Sequence, residues 1–340
     1  MTRVLVTGGT GFIGSWCVLA LLDAGHTVRT TVRDPRREPA LRSWLQAAAP
    51  FDDDRLTVVQ ADLEQPQGWD EAVADCDFVL HVASPTLRQE QATEDELVVP
   101  AREGVLRVLR AARDAGVRRV VLTSAFGAIG IGHPPRSTPF TEEDWTDLDS
   151  DIPPYQRSKT LAERAAWKFV EEEGGGLELA TVHPVGVLGP LLGPDDPPSL
   201  RLVRRMLEGR VPACPPFGMG YVDVRDVADL HLRAMTSPKA AGERFLAIAG
   251  HSMRVVDIAR TLHDRLGERA AKAPTRELPV WLTRALGLVN PELRLLRHQL
   301  GRDLDATSAK AEQLLEWRPR PIEDTIADTA ESLLAHGIGN

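Results

Sequence analysis

Apolar and β-branched residues fill positions 3–7 (RVLVT), a glycine-rich stretch follows, and apolar residues then recur at helical spacing from 12 to 24. Gly25 stands where a left-handed residue closes such a helix. Strand-like runs return at 26–33, 56–61 and 77–83, the last apolar enough to be buried on both faces. A long helical pattern at 94–115 ends at Gly116 and leads into a fifth strand at 119–123. Residues 155–173 read as helix, stopped by Gly174, Gly175 and Gly176, and 177–182 as a sixth strand. Strands alternating with helices predict an α/β fold, a Rossmann-type doubly wound parallel sheet.

After Pro184 the pattern changes. Proline and glycine gather at 189–198 and 212–220, around a helix at 200–208. Loops of that kind over a doubly wound sheet belong to the substrate side. The expected division is a nucleotide-binding domain over 1–184, with strand and helix returns from about 221–250, and a smaller C-terminal substrate-binding lobe within 185–340.

Composition narrows the setting. The chain has 340 residues, 43% hydrophobic and 26% charged, as in an ordinary soluble protein. A net charge of −9 argues against a nucleic-acid or anionic-membrane partner. No apolar run approaches the roughly 20 residues that span a bilayer. The first strand begins too early to leave room for a signal peptide. Cys17, Cys76 and Cys214 are widely spaced, suggest no metal cluster, and read as free thiols in a reducing cytoplasm.

The glycine-rich stretch is Thr7-Gly8-Gly9-Thr10-Gly11-Phe12-Ile13-Gly14, between a strand and a helix. That context makes it a dinucleotide-phosphate motif: Gly8 for the turn, Gly11 for backbone approach, Gly14 for close helix packing. The helix N-terminus supplies N–H donors to the anion. After strand two, an acid would bind a ribose 2′-hydroxyl and an arginine a 2′-phosphate. Arg33 is the better-placed cation and points to NADP(H), with Asp34 the competing ribose ligand. Asp62 and Leu63, after strand three, are candidates for the adenine edge, with a turn cap as the competing role of Asp62.

Catalytic chemistry is carried by YQRSK. The chain has two tyrosines and five lysines, yet Tyr155 and Lys159 stand four apart on a predicted helix and so share a face. A neighbouring ammonium favours the phenolate, which is expected to lower the Tyr155 pKa and suit it to proton donation. A carbonyl polariser belongs at the end of strand five, where Ser124 is the candidate and Thr123 its neighbour. Turn capping is the competing role for either hydroxyl. His81 and His183 read as core histidines, and Asp223 and Asp226 as helix-start caps.

Together these segments resemble the extended short-chain dehydrogenase/reductase superfamily, and within it the dihydroflavonol reductase and NADPH-dependent carbonyl reductase branch. The similar stretches are VTGGTGFIGSW (6–16), HTVRTTVRDP (26–35), DFVLHVASP (77–85), YQRSKTLAERAAWKF (155–169), TVHPVGVLGP (181–190), YVDVRDVADLHLRAM (221–235) and the tail from 308 to 333. The resemblance implies that Gly8, Gly11 and Gly14 line the pyrophosphate, with Thr7, Phe12 and Ile13 also in the cofactor site, and that Arg33 holds the 2′-phosphate. It implies that Asp62 and Leu63 meet adenine and that Val82, Ala83 and Ser84 flank the ribose. Tyr155 and Lys159 would be the catalytic pair and, like Thr123, contact the cofactor, while Pro184 and Val185 would pack near the nicotinamide. One departure stands out. Relatives often read TSSA at strand five with the second serine catalytic, whereas this chain has Thr123-Ser124-Ala125-Phe126. Ser124 is the expected substitute, with Thr123, a water or a weaker catalyst as alternatives.

The resulting expectation is NADPH-dependent, reversible reduction of a small ketone or aldehyde by Ser124, Tyr155 and Lys159, in a cytoplasmic monomer or homodimer. Alternatives are an NAD-dependent nucleotide-sugar epimerase or dehydratase, a hydroxysteroid-type dehydrogenase, and a non-catalytic NADP sensor. Substrate is expected under the loops 84–91, 126–139, 188–198 and 212–221.

Overall fold

Val4, Leu5 and Val6 are all fully buried in the first strand, β1 (Arg3–Thr7), so protein covers both of its faces. A strand lying between two helical layers meets that condition, which is why its sequence is apolar without alternation. The computed structural model describes residues 2–85, 94–290 and 299–337, without the side chains of 94 and 95. The 86–91 part of the first expected substrate loop therefore lies outside the described residues.

β1 pairs in parallel with β2 (Thr27–Val32) on one side, and β3 (Leu56–Gln60) continues that edge. On its other side come β4 (Phe78–His81), β5 (Arg119–Thr123), β6 (Glu178–Pro184) and an edge strand at Arg244–Ala247, again all parallel. The order, β3-β2-β1-β4-β5-β6 and then the edge strand, is that of a doubly wound sheet whose direction reverses between β1 and β4. Ligands of such sheets collect beyond the strand C-termini at that reversal.

Helices α1 (Phe12–Asp23) and α7 (Val224–Thr236) cover one face, over Val4, Val6, Leu80, Val121 and Val182. On the other face, α4 (Glu94–Asp114) and α5 (Pro154–Glu173) cover Leu5, Val79, Val120 and Leu122. A third apolar cluster joins α6 (Arg201–Leu207), α8 (Val255–Leu266) and the last helix, Ile322–Ala335. Among the described residues no helix is long and apolar enough to cross a membrane, and all three cysteines are free and buried.

Boundaries differ from expectation where hydrogen bonds are diverted. β4 ends at His81 instead of residue 83, because the Ala83 N–H donates to Thr7 Oγ1 (2.9 Å). β6 runs on to Pro184 because the edge strand gives Thr181–Pro184 a partner. Asp223 caps α7 as expected, accepting from the Arg225 N–H (2.8 Å), whereas Asp226 instead binds the Arg320 guanidinium and its N–H. The helices α2 (Glu38–Ala48) and α3 (Trp69–Val73) were not anticipated.

Arg119 shows how the α7 layer is held. Its fully buried guanidinium donates to the carbonyls of Ala234 (2.8 Å), Met235 (3.1 Å) and Ser237 (2.6 Å), and pairs with Glu178. It therefore fills acceptors that the helix C-terminus leaves open, with the charge sign that the helix dipole favours there. Arg119→Ala should cost at least about 2 kcal/mol, through loss of charged hydrogen bonds and an orphaned helix end, read as a lowered urea midpoint.

Candidate active site

The β1–α1 turn is built for an anion. Gly8 lies at φ +73°, a left-handed conformation, and a Cβ on Gly14 would stand 2.2 Å from the Gly8 carbonyl oxygen. Gly11 is the N-cap of α1 and provides no capping side chain, so the first-turn N–H groups around Phe12 and Ile13 keep their donor capacity. Thr7 departs from the expected role of cofactor ligand. It is fully buried, and its hydroxyl accepts from the Ala83 N–H and pairs with His81 Nδ1 (2.9 Å). It thus fixes the β4 loop against β1 instead of facing outward.

At the end of β2, Arg33 is exposed and its side chain has no hydrogen-bond or ion-pair partner among the described residues. Asp34 is committed to Arg36, whose Nε and Nη2 lie 2.8 to 3.1 Å from its carboxylate, and it caps the turn Pro35–Arg37 through the Arg36 N–H. Its carboxyl is held below the usual range by those bonds. Arg37 pairs with Asp195 at 3.0 Å. Asp62 turns out to be a turn cap, accepting from the Glu64 N–H (3.0 Å), while Leu63 is buried beside the cleft.

A cleft at the C-terminal ends of β4 and β5 is lined by Ala83, Ser84, Thr123, Ser124, Lys159 and Glu163, among others. Val82 and Ala83 are half-buried and Ser84 is exposed, while Pro184 and Val185 are buried where β6 ends. Tyr155 opens α5, just after Pro154 at its first position. Lys159 follows one turn later, with Nζ 6.0 Å from the Tyr155 ring centre. The sequence brought these two together correctly, but the electrostatics run the other way for the phenol. Tyr155 keeps 39% of its area exposed, while protein atoms crowding its phenol push the pKa up by burial. Lys159 is lowered to about 8 by burial, against an opposing pull from Glu163. Desolvation sets the direction at both groups.

Both hydroxyls at the end of β5 are already engaged. Thr123 Oγ1 lies 2.7 Å from His231 Nε2, on the α7 side of the sheet. His231 Nδ1 faces the Val227 carbonyl (2.7 Å), so Nδ1 carries the hydrogen and Nε2 accepts from Thr123. Ser124, on the α5 side, donates to Glu163 Oε2 at 2.6 Å. The same carboxylate receives His183 Nε2 (2.8 Å), Arg244 Nε (2.8 Å) and Trp167 Nε1 (3.2 Å). Burial alone would raise the Glu163 pKa; these donors more than reverse that and keep it ionised. Glu163, His183 and Arg244 were missed as a group. The one available signal was the Tyr155, Lys159, Glu163 spacing of four, which lines all three along one helix face.

A doubly wound parallel sheet, a glycine turn at β1 and a tyrosine–lysine pair over the strand ends define a dinucleotide-dependent oxidoreductase of the α/β class. The model of the NAD dependent epimerase/dehydratase family matches residues 4–248, and the chain belongs to that family. It is 37% identical over 274 residues to tetraketide alpha-pyrone reductase 2 of Arabidopsis thaliana, covering 76% of this chain and 82% of that protein. It is 35% identical over 273 residues to dihydroflavonol 4-reductase of Zea mays, covering 78% and 74%. Among solved structures, yeast methylglyoxal/isovaleraldehyde reductase Gre2 complexed with NADPH superposes with a TM-score of 0.82 at 26% identity, covering 100% of both chains.

Gly14→Ala should weaken dinucleotide binding at least about tenfold and lower stability by more than about 1 kcal/mol, since the backbone carbonyl in its path cannot give way cheaply. Fluorescence titration with the nucleotide and a urea melt check the two parts.

Proposed function

We propose that this protein is an NADPH-dependent reductase that converts a small ketone or aldehyde to the alcohol, reversibly. The carrying observation is the Tyr155–Lys159 pair beside a cleft at the sheet reversal, with the anion-binding turn of β1 next to it. The names of the relatives support the same reading, since each is a reductase.

The residues present fit a dinucleotide phosphate. The β1–α1 turn offers unpaired N–H donors to the pyrophosphate, and Arg33 is an uncommitted guanidinium for a 2′-phosphate. Asp34, turned to Arg36, is not free to favour a 2′-hydroxyl. Leu63 would border adenine, Ala83 and Ser84 the ribose, and Pro184 and Val185 the nicotinamide. When bound, NADPH supplies the hydride that reduces the carbonyl carbon. Tyr155, protonated as any phenol is near neutrality, gives its hydroxyl proton to the carbonyl oxygen. Lys159 contributes an ammonium that favours the phenolate left behind and holds the ribose hydroxyls. Alignment of the reactants supplies much of the rate.

The experiment is a panel of ketones and aldehydes with NADPH or NADH, followed by loss of nicotinamide absorbance. Tyr155→Phe should lower kcat/KM about a hundred- to ten-thousandfold while nucleotide affinity is kept; full activity in this variant rules the reading out. In the same assay Arg33→Ser should raise KM for NADPH roughly tenfold to a hundredfold and leave KM for NADH alone. Equal losses with both nucleotides would remove Arg33 from cofactor selection.

A further inference from the structure

The Glu163 carboxylate has four lone-pair positions, and four donors occupy them: Ser124 and His183 on Oε2, Arg244 and Trp167 on Oε1. Glu163 is 1% exposed, Ser124 5% and His183 0%. Arg244 is itself fixed, donating to the carbonyls of Glu142 and Asp144 and lying over the Trp145 ring at 3.8 Å. One buried anion thus joins α5 to β5, to β6 and to the edge strand. It sits one helical turn beyond Lys159, and both side chains line the same cleft.

Two consequences follow from hydrogen bookkeeping. A serine hydroxyl has one proton, and Ser124 gives it to an ionised acceptor at 2.6 Å, a charge-assisted bond. Thr123 gives its proton to His231. Neither hydroxyl at the end of β5 is therefore left to donate to a carbonyl oxygen. The carboxylate, saturated by other donors, acts on Lys159 through space and not by a hydrogen bond.

We propose that Glu163 is a positioning residue, clamped by Ser124, His183 and Arg244 so that its fixed negative charge holds Lys159 cationic, and that Ser124 serves this clamp and does not touch the substrate. The inference rests on the reading of Tyr155 and Lys159 given above. Among the described residues, the titratable or charged groups facing Lys159 are Tyr155 and Glu163 on α5 and His81 on β4; His183 and Arg244 stand behind Glu163. His81 is neutral, its pKa lowered to about 3 by burial and by Lys159. Glu163 is therefore the anion available to offset the desolvation of the ammonium, whose pKa lies at about 8.

With five lysines in the chain, ε-carbon NMR of labelled lysine resolves Lys159 directly and needs neither substrate nor nucleotide. Glu163→Gln should lower the Lys159 midpoint by about one pH unit and carry the alkaline limb of the rate profile with it. An unchanged midpoint in folded Glu163→Gln overturns the proposal. That variant leaves Arg244 without its counter-ion, so Ser124→Ala, which keeps the ion pair, provides the second arm and decides alone if Glu163→Gln does not fold. Ser124→Ala should lower kcat/KM less than about tenfold with KM for NADPH little moved; a loss of about a hundredfold or more in kcat is the mark of a direct carbonyl donor and overturns the proposal. A wild-type protein that turns over no carbonyl would count against the proposed function instead, and the lysine titration would still decide this inference.

Discussion

A carboxylate taken out of water must be fully partnered, because the effective penalty for burying an ion is several kcal/mol. Glu163 meets that requirement with donors from four separate places: Ser124 just past β5, His183 on β6, Arg244 on the edge strand and Trp167 on its own helix. These bonds tie α5 to the sheet one helical turn beyond Lys159, alongside the apolar contacts of Ala162, Ala166 and Phe169. Arg244 extends the constraint into the loop after β5 through the carbonyls of Glu142 and Asp144. Glu142, also buried, caps the outer edge by accepting from the Leu246 N–H at 2.8 Å.

The electrostatics of the pair follow from the same crowding. Attraction between ammonium and phenol favours charge on both, whereas burial disfavours charge on either. Here burial wins at both ends: the phenol moves up and the ammonium down. In the proposed reduction, a phenol that stays protonated and an ammonium close to its own titration point are a workable combination near neutrality. The two groups are tuned by their surroundings more than by each other.

Much of the scaffold was legible from local pattern alone. β1 and β5 fall on their expected residues because a doubly buried strand must be apolar throughout, and the glycine turn is bounded by a strand and a helix as its chemistry requires. Tyr155 and Lys159 were legible because helix spacing is a local property. What local pattern could not carry was partner choice between distant elements. Ser124 looked like a free hydroxyl at a strand end; only the packing of α5 shows that it faces a carboxylate 39 residues later. Thr7 was drawn toward the nucleotide for the same reason, since a strand-to-loop tie depends on a backbone N–H whose direction sequence does not reveal; for Asp62 the turn cap already stood beside the adenine role. Helix Glu38–Ala48 escaped notice because it begins with Glu38-Pro39 immediately after a short turn, without a side-chain cap.

His81, paired with Thr7, and His231, paired with Thr123, are both fully enclosed, with pKa values lowered by burial to about 3 and about 4. Histidine is ordinarily the residue through which acidification is felt. These two imidazoles behave instead as permanent neutral dipoles, comparable to amide groups. A drift in acidity of the surroundings by a unit either side of neutrality leaves both imidazoles uncharged.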